Sequence, residues 1–291
     1  MDARVEYVPR ARQVTLAARG GAMAVLDFGP PDRPVDVVFS HANGFNARTY
    51  RSILAPLAGS LRILAVDMRG HGASTLPADP AAHGGWNAFR DDLLAFLDAE
   101  TDGPVVLAGH SMGGTSSLLA AAHDPARVKA LALFDPVVFH AGTGPDAMAD
   151  NPLADGALRR RATFPSKAAV LEAYAGRGAF RTWRQDQLAD YVEAGFRETA
   201  TGEVTLTCTR EWEAANFRTH NYDPWAAFRA TRCPIHILRA EAASTARLDE
   251  GQAELEATGR VRIDLIPGTS HFLPMERPDL VRTVLRDIAS A

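Results

Sequence analysis

PVVLAGHSMGGTS, residues 104–116, reads as a strand, a sharp turn and a helix. The mostly apolar run from Pro104 to Ala108 leads without a break into Gly109, His110, Ser111, Met112 and Gly113, and the small residues that follow suit a helix. These five positions fit Gly-x-Ser-x-Gly, in which a strained turn lifts the serine clear of the sheet edge and only glycine tolerates the crowding on either side. The same turn puts the backbone N–H of Met112 at a helix N-terminus, where unpaired amides favour a developing oxyanion. A Gly-rich turn with an idle serine would look the same, so the rest of the chain has to supply partners for Ser111.

On either side of this stretch, short β-like segments alternate with helical ones. VTL at 14–16, MAVLDFG at 23–29, VDVVFSH at 35–41, ILAVDM at 63–68, VKALALF at 128–134, IHILRA at 235–240 and VRIDLI at 261–266 read as strands beside the one at 104–108. Trp86, Phe89, Leu93, Phe96 and Leu97 form a helical stripe within 86–100, and Leu280, Val284, Leu285 and Ile288 mark a closing helix. Apolar strands spaced by helices predict an α/β protein with a mostly parallel sheet covered on both faces.

The rhythm breaks once, between Asp135 and Pro224. That stretch holds AGTGPDAMADNP and then helical-looking pieces carrying Leu171, Tyr174, Phe180, Trp183, Leu188, Tyr191 and Phe196. Roughly 85–90 residues are too many for a structureless loop in a compact domain. The expectation is a core built from residues 1–136 and 225–291, with a helical cap over 137–224.

The 291 residues are enough for one large domain with a sizeable core, and 46% apolar with 23% charged residues is ordinary globular composition. A net charge of -4 argues against a nucleic-acid partner, whose phosphates call for a basic surface. Cys208 and Cys233 cannot build a disulfide framework and lack metal or redox spacing. The opening MDARVEYVPRARQ has no apolar core of a leader's length, and no later run approaches a membrane span. These features predict a cytoplasmic protein with no membrane partner.

A serine hydroxyl attacks well only when a base takes its proton, and the base must itself be held by a third group. His271, in IPGTSHFLPMERP, follows the last strand on a Gly/Ser turn, so it emerges on the same carboxyl edge of the sheet as Ser111. None of the other eight histidines has that setting; His110 lies inside the turn, and His41 and His71 lie in loops after strands.

With SHANGF at 40–45, VDMRGHGAS at 66–74, GHSMGG at 109–114, DPW at 223–225 and SHFLPMERP at 270–278, the chain resembles the α/β-hydrolase-fold serine hydrolases over nearly its whole length. The resemblance implies an eight-stranded sheet with an inserted cap, and an oxyanion site made by two backbone amides. Here these belong to Met112 and, within His41-Ala42-Asn43-Gly44, to Asn43. The usual acid does not match: family members carry an Asp in the loop after the strand corresponding to IHILRA, where this chain has Ala243. Two carboxylates remain. Asp135 ends the preceding strand, where some hydrolases of this fold place the acid, and Glu241 lies two positions before Ala243. Asp135 is favoured because a short carboxylate at a strand end facing the catalytic edge can orient an imidazole, although Asp-Pro is also a common turn former.

The expected activity is hydrolysis of a carboxylic ester or related acyl bond of a small to medium apolar molecule, with no metal or organic cofactor. Carbon–carbon bond hydrolysis, acyl transfer and a weakly catalytic ligand receptor are the alternatives. Asp67, Arg69 and His71 read as structural turn residues. Tyr174, Phe180, Trp183 and Trp212 are candidates for a pocket under the cap, though helical spacing favours plain packing for each taken singly. Arg159, Arg160 and Arg161 read as a solvated face.

Overall fold

The computed structural model describes residues 7–140 and 151–290. Most of AGTGPDAMADNP, and the first six residues of the chain, lie outside the described part. In chain order the strands before the interruption are β1 (Arg10–Leu16), β2 (Gly21–Phe28), β3 (Val37–Ser40), β4 (Ile63–Val66), β5 (Val105–His110) and β6 (Val128–Phe134). Three short strands follow, β7 (Thr163–Phe164), β8 (Phe196–Glu198) and β9 (Val204–Leu206), and then β10 (Ile235–Ala242) and β11 (Val261–Ser270). Eight of these form one sheet in the order β1-β2-β4-β3-β5-β6-β10-β11. Only the pairings of β2, with β1 and with β4, are antiparallel. From β4 to β11 every neighbour is parallel.

The central strands are apolar without alternation because both their faces are covered. Val38 and Leu107 point toward α2 (Asn87–Glu100) and α3 (Met112–His123), joining Leu93, Phe96 and Leu118 in one half of the core. Val37, Phe39 and Val106 point the other way, into a cluster with Ile53 and Leu54 of α1 (Arg51–Leu54) and with Val281 and Leu285 of the final helix. The stripe read from Trp86 to Leu97 is that buried face of α2.

The described residues between β6 and Asp223 form four α-helices, α4 (Pro152–Arg159), α5 (Lys167–Tyr174), α6 (Gln185–Gly195) and α7 (Arg210–Arg218), together with an antiparallel sheet ordered β7-β9-β8. The stretch expected to be a helical cap thus carries a short antiparallel sheet beside its helices. Phe164, Leu188, Val192, Phe196, Val204 and Leu206 give this part an apolar cluster of its own. Side chains seat it on the rest: Arg51 donates to Asp190 at 2.7 Å, Asn46 Nδ2 to the Tyr191 carbonyl and Gln187 Nε2 to the Met275 carbonyl.

Asp-Pro-Trp does not lead directly into a strand. Asp223 Oδ1 accepts from the amides of Trp225 and Ala226 at 2.9 Å, capping α8 (Pro224–Ala230), whose Phe228 joins the core before β10 begins. The chain closes through α9 (Gln252–Ala257), α10 (Leu273–Glu276) and α11 (Pro278–Ser290). Cys208 and Cys233 are both free.

Candidate functional site

Ser111 sits between the last residue of β5 and the first of α3, with φ +54° and ψ -120°. The side chains that this turn cannot tolerate are visible in the packing. A Cβ at Gly109 would meet the backbone of Gly113, and one at Gly113 would meet the Ser40 and His41 carbonyls, so the helix can approach the ends of β5 and β3 only as glycine. Ser111 Oγ lies 3.1 Å from His271 Nε2. Met112 is the first residue of α3, so its amide belongs to the turn that has no intrahelical acceptor.

His271 is held at both ends. Its Nδ1 lies 2.6 Å from Asp135 Oδ2, which assigns the proton to Nδ1 and leaves Nε2 free to accept from Ser111. Its carbonyl accepts at 2.7 Å from His110 Nε2, and Tyr50 OH lies 2.8 Å from His110 Nδ1. Because Nε2 donates, Nδ1 accepts the Tyr50 proton, and burial lowers His110 to about 3, so this ring stays neutral. His110 thus links the serine turn to the histidine loop.

Asp135 is fully buried. Its Oδ1 accepts from the Ala240 amide at 3.0 Å and Ser244 Oγ at 2.5 Å, while Oδ2 accepts from the Thr245 amide at 3.0 Å as well as from His271. Burial opposes ionisation, but the His271 bond and charge, Ser244 and the Ala240 amide outweigh it and hold Asp135 below its ordinary value. Glu241 is not in this cluster; it is exposed and accepts from the Gly268 amide at 2.9 Å. Among the described residues, the non-glycine positions with positive φ are Ser111, Asp135 (+44°) and Ala243 (+52°). All three belong to this site, where backbone strain is held by surrounding contacts. Ala243 makes the turn that brings Ser244 and Thr245 onto Asp135.

The loop after β3 is braced by neutral histidines. His41 Nδ1 donates to the Ala42 carbonyl and its Nε2 accepts from the Met68 amide; His71 Nδ1 donates to the Arg69 carbonyl and its Nε2 accepts from the Gly44 amide at 3.0 Å. Burial puts His41 well below its ordinary value and His71 at about 4. Asp67 staples two loops through the Ala47 and Ala73 amides, and Arg69 pairs with Asp92. All of these are structural contacts, as expected of that motif.

An aromatic wall rises from His271 into the inserted segment. Phe272 and Phe45 have centroids 6.2 Å apart, Phe45 lies 5.2 Å from Trp183 and 5.6 Å from Tyr191, and Phe180 lies 5.0 Å from Trp183 and 4.9 Å from Tyr174. Trp212 is elsewhere, packed on His83 and Phe89 with its Nε1 donating to the Arg69 carbonyl. Arg160 is also not a solvated residue: it pairs with Glu213 at 2.6 Å and donates to Tyr191 OH at 2.7 Å, while Arg159 and Arg161 are exposed. Ser244, Thr245, Tyr50 and Phe45 escaped the sequence reading. Ser-Thr directly after the vacant acid position was the one available signal, since both hydroxyls can serve a carboxylate from another strand.

Among the described residues, no group of three or more His, Cys, Asp or Glu could hold a metal ion, and no helix is long and apolar enough to cross a membrane. The alpha/beta hydrolase family model matches residues 37–284. The 2-(acetamidomethylene)succinate hydrolase of Mesorhizobium japonicum is 26% identical over 259 residues, 88% of each chain. The 3-oxoadipate enol-lactonase 2 of Acinetobacter baylyi is 32% identical over 113 residues, 39% of this chain and 41% of that one. The crystal structure of E-2-(acetamidomethylene)succinate hydrolase superposes with a TM-score of 0.79 at 21% identity, over 97% of this chain and all of the other, a likeness of fold.

Proposed function

This chain belongs to the alpha/beta hydrolase family, and we propose that its hydrolase activity is cleavage of a carboxylic ester or related acyl bond through an acyl-enzyme on Ser111. The observation that carries the reading is the line Ser111 Oγ, His271 Nε2, His271 Nδ1, Asp135 Oδ2, with gaps of 3.1 and 2.6 Å. As Ser111 attacks the acyl carbon, its proton passes to His271 Nε2, and the charge growing on the carbonyl oxygen is met by the Asn43 and Met112 amides. His271 then protonates the leaving alcohol, and deprotonates the water that releases the acid. Asp135 holds the tautomer and stabilises the imidazolium. The names of two relatives, a hydrolase of an acetamido-substituted succinate derivative and an enol-lactonase, are in keeping with attack at an acyl carbon.

Residues 1–136 and 225–291 act as the catalytic core in this reading, and 137–224 as a cap that presents Phe180 and Trp183 to the acyl chain. The substrate is a small to medium apolar molecule, and no resident cofactor takes part. The test is a panel of p-nitrophenyl esters of increasing acyl length, with acid and alcohol quantified. Equimolar acid and alcohol support hydrolysis. Product in which the acyl group has moved to an added alcohol makes the enzyme a transferase instead, and inertness toward every ester alongside cleavage of a vinylogous diketone makes it a carbon–carbon hydrolase.

A further inference from the structure

In the acyl-enzyme reading the Asn43 amide is half of the oxyanion site, and any catalytic meaning of its anchors rests on that reading. The carbonyl of the 42–43 peptide is tied down by the His41 ring at 2.8 Å and by the Phe45 amide at 3.1 Å. The other end of that peptide is held by a different part of the molecule. Asn43 Oδ1 accepts from Asn216 Nδ2 at 2.8 Å, and Asn43 Nδ2 donates to the Glu213 carbonyl at 3.0 Å. Both partners lie on α7, 170 or more residues further along the chain.

Asn216 is itself fully buried and fixed in orientation. His83 Nδ1 accepts from the Gly85 amide, so His83 Nε2 carries the proton and donates to Asn216 Oδ1 at 2.6 Å. That leaves Nδ2 as the end that faces Asn43. The Asn216 carbonyl accepts from Trp86 Nε1 at 3.0 Å. Helix α7 also presses directly on the loop, since a Cβ at Gly44 would lie 2.5 Å from Glu213 Oε1. With Gly44 at φ +74° next to it, the 42–43 peptide has a permissive neighbour and depends on its anchors for direction.

We propose that Asn216 is a positioning residue for the oxyanion site: through the Asn43 side chain it sets the plane of the 42–43 peptide, so the inserted segment completes part of the catalytic apparatus as well as roofing it. A donor displaced by about 1 Å loses about 10²-fold in rate, and removing a donor outright costs about 10²–10³ in kcat. The loss from freeing one anchor belongs below that, at about 10–100-fold.

The experiment compares wild type, Asn216→Ala, Asn216→Asp, Asn43→Ala and the Asn43→Ala/Asn216→Ala pair. Kinetics on p-nitrophenyl acetate are normalised to active sites by titration with a fluorophosphonate, and a trifluoromethyl ketone reports affinity for the tetrahedral adduct. Asn216→Asp keeps the volume and the acceptor for His83 while removing the donor to Asn43, and Asn43→Ala removes the hook while leaving the residues of α7 unchanged, so the test survives if one variant fails to fold. The expected result is a kcat drop of about 10–100-fold in each single variant, KM within about threefold, and weaker ketone inhibition in proportion to kcat/KM. The pair should lose no more than Asn43→Ala alone, because Asn43→Ala already cuts the link that Asn216→Ala cuts, along with the one to the Glu213 carbonyl. Normal kcat in the folded 216 variants, or losses that multiply in the pair, overturns the inference while leaving Ser111-dependent catalysis standing. Turnover that survives Ser111→Ala removes the underlying reading, and the inference with it.

Discussion

The Ser244 hydroxyl donates a 2.5 Å hydrogen bond to Asp135 Oδ1, joining the turn after β10 to the end of β6. The turn that family resemblance would have carry the acid carries Ala243 instead, in a left-handed conformation, and supplies donors to a carboxylate standing on the neighbouring strand. Removing the charge while keeping the shape should expose the dependence. Asp135→Asn is expected to lower kcat by about 10²–10⁴, and Glu241→Gln by less than about tenfold. The reverse order in ester kinetics would move the acid to Glu241.

Asp135 also leaves a mark on stability. Its folded pKa lies below the ordinary carboxylate value, so its contribution is present above that value and is lost as pH falls through the folded one. In urea denaturation the advantage of wild type over Asp135→Asn should therefore shrink on acidification below about pH 4. A gap that widens on acidification would contradict the assignment of Asp135 as a stabilised anion.

The buried histidines act at higher pH. Burial lowers His41 far below 6.5 and His71, His110 and His220 to about 4, 3 and 4, so the fold binds them neutral while the unfolded chain protonates them. Their contribution is complete above about pH 6.5 and drains away as pH falls toward the folded values, at about 1.4 kcal/mol per pH unit for each ring. His220, wedged between Trp86 and Phe139 with its Nδ1 unpartnered, is far from Ser111 in role and suits the test. His220→Leu should reduce the slope of unfolding free energy between about pH 6.5 and 5 by one proton's worth. An unchanged slope would mean that His220 does not titrate on unfolding.

Much of this was legible in local pattern. The strand, glycine and serine order at 104–113 dictated the turn, and a Gly/Ser turn after the last strand singled out His271. Asp135 was readable as a candidate because it ends a strand on the same edge. What could not be read depends on contacts between distant segments. Arg160 looks like its two exposed neighbours until Glu213 and Tyr191 are brought to it, and β7 and β8, two and three residues long, are too short to show alternation. Asn216 has no sequence signal at all, since its meaning comes from Asn43 and His83.

Trp183 tests the roof. It is half-buried against Phe45 and Phe272, the second of which packs on the His271 ring. Trp183→Ala should open space for the acyl chain and raise kcat/KM for octanoyl relative to acetyl esters by about tenfold, in line with the burial of a few extra methylenes. An unchanged preference profile with a large fall in melting temperature would make Trp183 a packing residue only.

The central claim is that Ser111 is the nucleophile, and the most direct measurement is covalent labelling read by mass spectrometry. Wild type treated with a fluorophosphonate should carry one adduct on the peptide containing Ser111, with ester turnover lost in step. Ser111→Ala should show neither adduct nor turnover above background. An adduct on another residue, or ester turnover persisting in pure Ser111→Ala protein, would contradict the account.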